Sequence, residues 1–145
     1  MDVLRRSPMH LLHRAEQCAE ESFQTQMGDI ALTPRQLALL CAVAEAEGAT
    51  QTALFERTGI GLSTMTDLVR RLQRRGLLQR RRKKGDPRAY AVRLLDKGRE
   101  MLQEAEPIAD QVDALILGAL PAERRARFVD ALVLIVGNLE RGGRR

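Results

Sequence analysis

The sequence predicts a mainly α-helical chain with a small β-wing, a winged helix-turn-helix. Three observations predict it. Ser7-Pro8 and Thr33-Pro34 each open a stretch whose apolar residues recur three and four apart, the mark of a capped helix with one buried face. Two shorter helical patterns then flank Gly59-Ile60-Gly61, and a helix, a glycine-containing turn and a second helix make a helix-turn-helix. Past Gly76 the period becomes extended on either side of KKGDP, a turn signal between two strands.

In chain order, the first helix is expected from Pro8 to about Met27, with Leu12, Ala15, Ala19, Phe23 and Met27 on its buried face and Gly28-Asp29 as its end. Thr33 caps the second, PRQLALLCAVAEAE, which turns Leu37, Leu40, Cys41 and Ala44 inward, with Gly48 just past its end. Thr50 caps QTALFERT. The next helix runs from about Leu62 to Arg75 and stops at Gly76. There Met65, Leu68, Val69 and Leu72 fall at i, i+3, i+4 and i+7, leaving Ser63, Thr66, Asp67, Arg70 and Arg74 on the opposite face. A helix placed in this way enters the major groove of duplex DNA.

Leu77 to Arg82 and Ala89 to Leu94 are the expected wing strands. Asp86 and Arg88, either side of Pro87, are spaced for the carboxylate to hold the guanidinium. A long helix from Asp96 to about Gly118 contains Pro107, where a bend or interruption is expected. The last helix, Ala122 to Glu140, aligns Phe128, Leu132, Ile135 and Leu139, with Val129, Val133 and Val136 beside them. That stripe is too wide for a lone surface helix, and the tail RGGRR is expected to be disordered.

Charge is concentrated in one place. Residues 70–88 hold ten bases (Arg70, Arg71, Arg74, Arg75, Arg80, Arg81, Arg82, Lys83, Lys84, Arg88) against Asp86 alone, a local charge of +9, while the other 126 residues carry −4. A dense basic patch on a folded segment is a footprint for a polyanion. Aromatic residues are 3% of the chain and tryptophan is absent, which disfavours base-stacking on single strands and favours duplex DNA. Cys18 and Cys41 form no CxxC pair, no apolar run approaches a membrane span, and residues 1–10 lack the apolar core of a signal peptide. A soluble, cytoplasmic protein without membrane contact is expected.

A winged unit of about 60 residues has too small a core to use three further amphipathic helices. A two-fold dimer built from both chain ends covers them, and sets two recognition helices about 34–36 Å apart, one turn of DNA. The single domain, 1–145, is thus divided in expectation into a DNA-binding lobe at about 33–95 and dimerisation helices at about 7–31 and 96–140.

The chain resembles the MarR family of bacterial transcription regulators. The resemblance is carried by LTPRQLALL (Leu32 to Leu40), TGIGLSTMTDLVRRLQRRGLLQRR (Thr58 to Arg81), GDPRAYAVRL (Gly85 to Leu94) and DKGREML (Asp96 to Leu102). It implies a homodimer that binds a pseudo-palindromic operator and leaves it when a small molecule binds, with phenolic or aromatic acids or their thioesters as the effector class. The family's recognition-helix contacts fall on Ser63, Thr64, Thr66 and Arg70, joined by Arg71 and Arg74. Its minor-groove wing arginine falls on Arg88, held by Asp86, with Arg82, Lys83 and Lys84 beside it. Two departures stand out: Gly61-Leu62 where members commonly carry polar residues, and Leu95 where a threonine often caps the following helix, which leaves Asp96 near that N-terminus.

His10, His13, Gln17, Phe23 and Cys41 are the candidate ligand-binding residues, in the groove between the first helix and the DNA-binding lobe. His10 and His13 with Cys18 also suggest a metal site, but no further residue with ligand spacing converges on them, so neither metal nor cofactor is expected. Redox sensing through Cys18 or Cys41 is an alternative. The peroxide-sensing branch of the family, however, places its cysteine where this chain has Met9, and the single tyrosine, Tyr90, lies in the wing. A ligand-independent architectural DNA-binding protein is a further alternative. No GxSxG, HExxH or phosphate-loop pattern occurs, and no enzymatic activity is expected.

Overall fold

In the computed structural model, which describes residues 3–143, six helices and a three-stranded sheet follow in the order α1 (Pro8–Met27), α2 (Pro34–Glu45), β1 (Ala49–Thr50), α3 (Gln51–Thr58), α4 (Leu62–Arg74), β2 (Leu78–Lys83), β3 (Asp86–Leu94), α5 (Asp96–Gly118) and α6 (Ala122–Gly143). Short 3₁₀ turns precede and follow α1. Contacts group the chain into two compact units, residues 1–109 and 110–145.

Local chemistry accounts for the helix starts. Ser7 Oγ accepts the His10 main-chain N–H at 3.4 Å, with Pro8 in the first turn of α1. Thr33 closes a capping box at α2: the Gln36 N–H donates to Thr33 Oγ1 at 3.2 Å, and the Thr33 N–H donates to Gln36 Oε1 at 3.1 Å. Thr50 Oγ1 accepts the Ala53 N–H at the start of α3. Gly59 ends α3 at φ +70, a left-handed conformation that suits glycine, and Gly76 turns the chain out of α4 at φ +72.

The first unit packs around Leu39, Leu40, Val43, Leu54, Met65, Val69, Leu72, Leu77, Leu78 and Val92, all fully buried. The expected inward face of α2 is rotated by about one residue: Gln36, Leu37, Leu39, Leu40, Ala42 and Val43 are buried, Cys41 is half-buried and Ala44 is exposed. The helix ends at Glu45, and Gly48 sits beyond it at φ +80, against the Arg93 guanidinium. Leu12 and Ala15 of α1 are exposed, and only Phe23 and Met27 of that face are buried. A period of three and four marks a face as apolar; it does not say that the same chain covers it.

The sheet is antiparallel in the order β1-β3-β2. Its third strand is two residues long, Ala49 opposite Val92 and Thr50 opposite Ala91, too short to leave a period in the sequence. The wing strands pair from Leu78 with Leu94 to Arg82 with Tyr90, and a bulge follows Arg82. The hairpin turn is Lys84-Gly85, tighter than KKGDP implied, because Asp86 and Pro87 already belong to β3. Helix α5 runs through Pro107 unbroken. The α5 start is seated on the wing base: the Leu95 N–H donates to the Leu77 carbonyl at 3.0 Å, and a Cβ on Gly98 would lie 2.0 Å from that oxygen.

In the second unit, α6 buries no residue. Val129, Val133, Leu134, Ile135, Val136 and Leu139 are exposed, Phe128 and Leu132 half-buried. The tail expected to be disordered is helical through Gly143; its last two residues lie outside the described ones.

Candidate nucleic-acid interface

Helix α4 is strongly two-faced. Met65, Leu68, Val69 and Leu72 lock one side into the core, so the other is held at a fixed rotation. On that other side Ser63, Asp67, Arg70, Arg71 and Arg74 are exposed, while Thr64 and Thr66 are half-buried. The Thr66 hydroxyl lies 3.0 Å from the Leu62 carbonyl and 3.4 Å from Gln51 Oε1. Gln51 Nε2 is buried without a hydrogen-bond partner among the described residues. This link from α3 to the recognition helix joins residues 15 positions apart, and helical periodicity gave no sign of it.

On the wing, Arg82, Lys83, Lys84, Asp86 and Arg88 are all exposed. Asp86 Oδ1 accepts the main-chain N–H of Arg88 at 2.9 Å. The carboxylate thus fixes the backbone of the tip, and among the described residues it does not pair with the guanidinium it was expected to hold. The reason is reach: a short carboxylate two residues upstream meets the amide of a tight turn before it meets the end of a long side chain.

Two of the ten clustered bases are engaged within the protein. The Arg80 guanidinium carbon lies 4.2 Å from the Tyr90 ring centre, a cation–π contact across the wing strands. Arg75 is bound to main-chain carbonyls: its Nη1 donates to Ala31 and its Nη2 to Ile30, each at 2.9 Å. Arg70, Arg71, Arg74, Arg81, Arg82, Lys83, Lys84 and Arg88 have no carboxylate partner among the described residues. These eight cations on one helix face and one hairpin form a strip that attracts polyanions and is weakened by salt.

A cavity of about 340 Å³ opens beside the turn between α3 and α4, lined by Pro34, Arg35, Ala38, Thr58, Gly59, Ile60, Gly61 and Thr64. Arg35 and Thr64 bring the start of α2 and the start of α4 to one opening, a proximity that only the folded chain creates. None of His10, His13, Gln17, Phe23 and Cys41 lines it. His13 and Gln17 are exposed, His10 and Cys41 half-buried, and Phe23 buried. His13 Nδ1 lies 3.9 Å from Glu16. Burial pushes the Cys41 thiol up from its ordinary pKa, and the negative charges of Glu106 and Glu45 add to the rise. Among the described residues no three His, Cys, Asp or Glu side chains are grouped to hold a metal ion, and no helix is long and apolar enough to cross a membrane.

The MarR family model matches residues 32–90. The transcriptional regulator HosA of Escherichia coli O157:H7 is 34% identical over 127 residues, which cover 88% of this chain and 93% of HosA. Among solved structures, Bordetella bronchiseptica BpsR, whose DNA binding is regulated by 6-hydroxynicotinic acid, matches with a TM-score of 0.81 at 30% identity over 88% of this chain and 96% of BpsR. The transcriptional repressor CouR, solved on a 23-mer DNA duplex, matches with a TM-score of 0.85 at 27% identity over 94% of this chain and 96% of CouR. With its helix-turn-helix and basic wing, this chain belongs to the MarR family of winged helix-turn-helix transcription regulators.

Proposed function

We propose that the protein is a homodimeric cytoplasmic repressor that binds a pseudo-palindromic double-stranded operator and is released from it by a small aromatic or phenolic acid or its thioester. The observation that carries this reading is the strip of eight cations on α4 and the wing without a carboxylate partner among the described residues, mounted on a helix whose opposite face is buried. Phosphates take most of such contacts and position the protein, while Ser63, Thr64, Thr66 and Arg70, at the groove-facing side of α4, read base edges. Arg71 and Arg74 with Arg82, Lys83, Lys84 and Arg88 grip the backbone and the adjacent minor groove, and Asp86 keeps the wing tip in shape.

The exposed apolar rows of α1 and α6 supply the second copy's contact, so residues at about 7–31 and 96–140 serve the dimer and about 33–95 the DNA. Effector binding near His10, His13, Gln17, Phe23 and Cys41 favours a spacing of the two recognition helices that no longer fits successive major grooves, a population shift. The regulation of BpsR by 6-hydroxynicotinic acid and the DNA complex of CouR support the ligand class and the duplex partner.

The test is binding to the protein's own upstream intergenic DNA and to a random duplex at one salt concentration, repeated with 6-hydroxynicotinic acid, other aromatic acids and their thioesters. A specific complex that one compound dissolves is the expected result. Equal affinity for both duplexes, indifferent to every compound, overturns it in favour of an architectural role.

A further inference from the structure

We infer that Arg75 is a positioning residue for sequence reading: it touches no DNA, and it sets the recognition helix against the α1–α2 connection and the start of α5. The inference rests on the DNA-reading role proposed for α4. Arg75 is the C-cap of α4, and its side chain turns away from the cationic strip and is half-buried. Its guanidinium donates along both arms to consecutive carbonyls, Ile30 and Ala31, each at 2.9 Å, and Nη2 also lies 3.7 Å from Met101 Sδ of α5. The Arg75 carbonyl in turn accepts from Lys97 Nζ at 3.0 Å. One residue therefore joins three elements, and a cation from α5 meets the negative end of α4.

The connection is built to receive it. Ala31 stands at φ +52 and ψ +46, a left-handed conformation that residues with a Cβ rarely adopt. Such a conformation persists where the surroundings over-determine it, and a charged, planar fork on two successive carbonyls is a strong determinant. Lysine has one ammonium and cannot span both oxygens as a guanidinium does. A small change in the tilt of α4 displaces Ser63, Thr64, Thr66 and Arg70 from base edges, while flexible arginines still find phosphates. Sequence discrimination therefore depends on the clamp more than overall affinity does.

The experiment compares wild type, Arg75→Lys, Arg75→Ala and Arg74→Ala by fluorescence anisotropy on operator and random duplexes over a salt series, with thermal melting of each protein. For Arg75→Lys the operator-to-random ratio is expected to fall about tenfold, the scale of one lost base contact, with the wild-type salt slope retained. Arg74→Ala instead lowers the slope by about 1.8, one phosphate contact in each of the two protomers. If Arg75→Ala melts before it can be assayed, Arg75→Lys decides. A slope lowered by about 1.8 in Arg75→Ala and restored in Arg75→Lys makes Arg75 a phosphate contact in each protomer and overturns the inference. So does an unchanged ratio, or a lower melting point with equal loss on both duplexes, which marks a merely structural role. A wild-type protein that does not discriminate shows that the DNA-reading role itself has failed, and the inference falls with it.

Discussion

Arg70 projects from the exposed face of α4, one turn beyond Thr66, with no acid paired to it among the described residues. In the reading proposed above, this arginine meets a guanine edge through both arms of its fork. Arg70→Ala is expected to cost about 1–3 kcal/mol of discrimination between operator and random duplex, measured by anisotropy; equal losses on both duplexes would make it a phosphate contact. Arg88, at the wing tip, has its backbone fixed by Asp86, and its exposed side chain has no carboxylate partner among the described residues. In the homodimer proposed above, Arg88→Ala should reduce the salt slope by about 1.8, one contact per protomer, while sedimentation still reports the assembly of the wild type. Burial, with the negative charges of Glu106 and Glu45 adding to it, raises the Cys41 thiol above its ordinary range. In that alkaline window the native chain keeps a proton that the unfolded chain has lost. Stability from this group is therefore complete at neutral pH and declines as pH rises through the window. The melting point of wild type should fall more steeply than that of Cys41→Ala above neutrality, and mass spectrometry after brief alkylation should find exposed Cys18 modified first.

At the scale of elements, the helix caps and the seat of α5 hold the DNA-reading lobe in shape. Gly98 is where α5 meets the wing: any Cβ there would be driven into the Leu77 carbonyl, which already accepts the Leu95 N–H. Backbone cannot yield as a flexible side chain can. Gly98→Ala is expected to destabilise the protein by about 3 kcal/mol, the overpacking penalty of a rigid site, read from chemical denaturation. An unchanged midpoint would mean that α5 swings freely off the wing. The same seat shows why the usual threonine cap can be absent: with Leu95 in its place, the main chain of Leu95 bonds Leu77, and the Asp96 carboxylate in the first turn of α5 answers the helix dipole while pairing with Arg99 at 3.3 Å. Arg99 also donates to Glu47 Oε1 at 3.0 Å, and Glu47 Oε2 accepts the Leu94 N–H. One carboxylate thereby ties the α2–β1 loop to both β3 and α5.

For the whole molecule, the decisive surface is the apolar row of α6, where Val133 is 66% and Leu139 70% exposed. Apolar area of this kind, contiguous along a helix, is stable in water only when another surface covers it. In the homodimer proposed above, a Val133→Glu and Leu139→Glu double variant is expected to sediment as a monomer with a native circular dichroism spectrum, and to lose operator binding by at least about 100-fold because two half-sites are no longer engaged by one body. A dimeric double variant would place the interface elsewhere.

Much of this protein was legible in its sequence because the signals are local. Ser7-Pro8, Thr33-Pro34 and Thr50 start helices through atoms three residues away, the α4 stripe follows from the helical period alone, and the wing announces itself by alternation around a glycine turn. The basic patch needed only counting. Tertiary structure decided everything that depends on residues far apart in the chain: that Arg75 and Arg80 bond within the protein, that β1 joins the sheet, that Gly98 admits no side chain, and that the buried face of α2 centres on Leu40 and Val43. Periodicity reports which residues share a face. Only packing determines what that face meets, because a contact between distant residues is set by the path of the backbone between them.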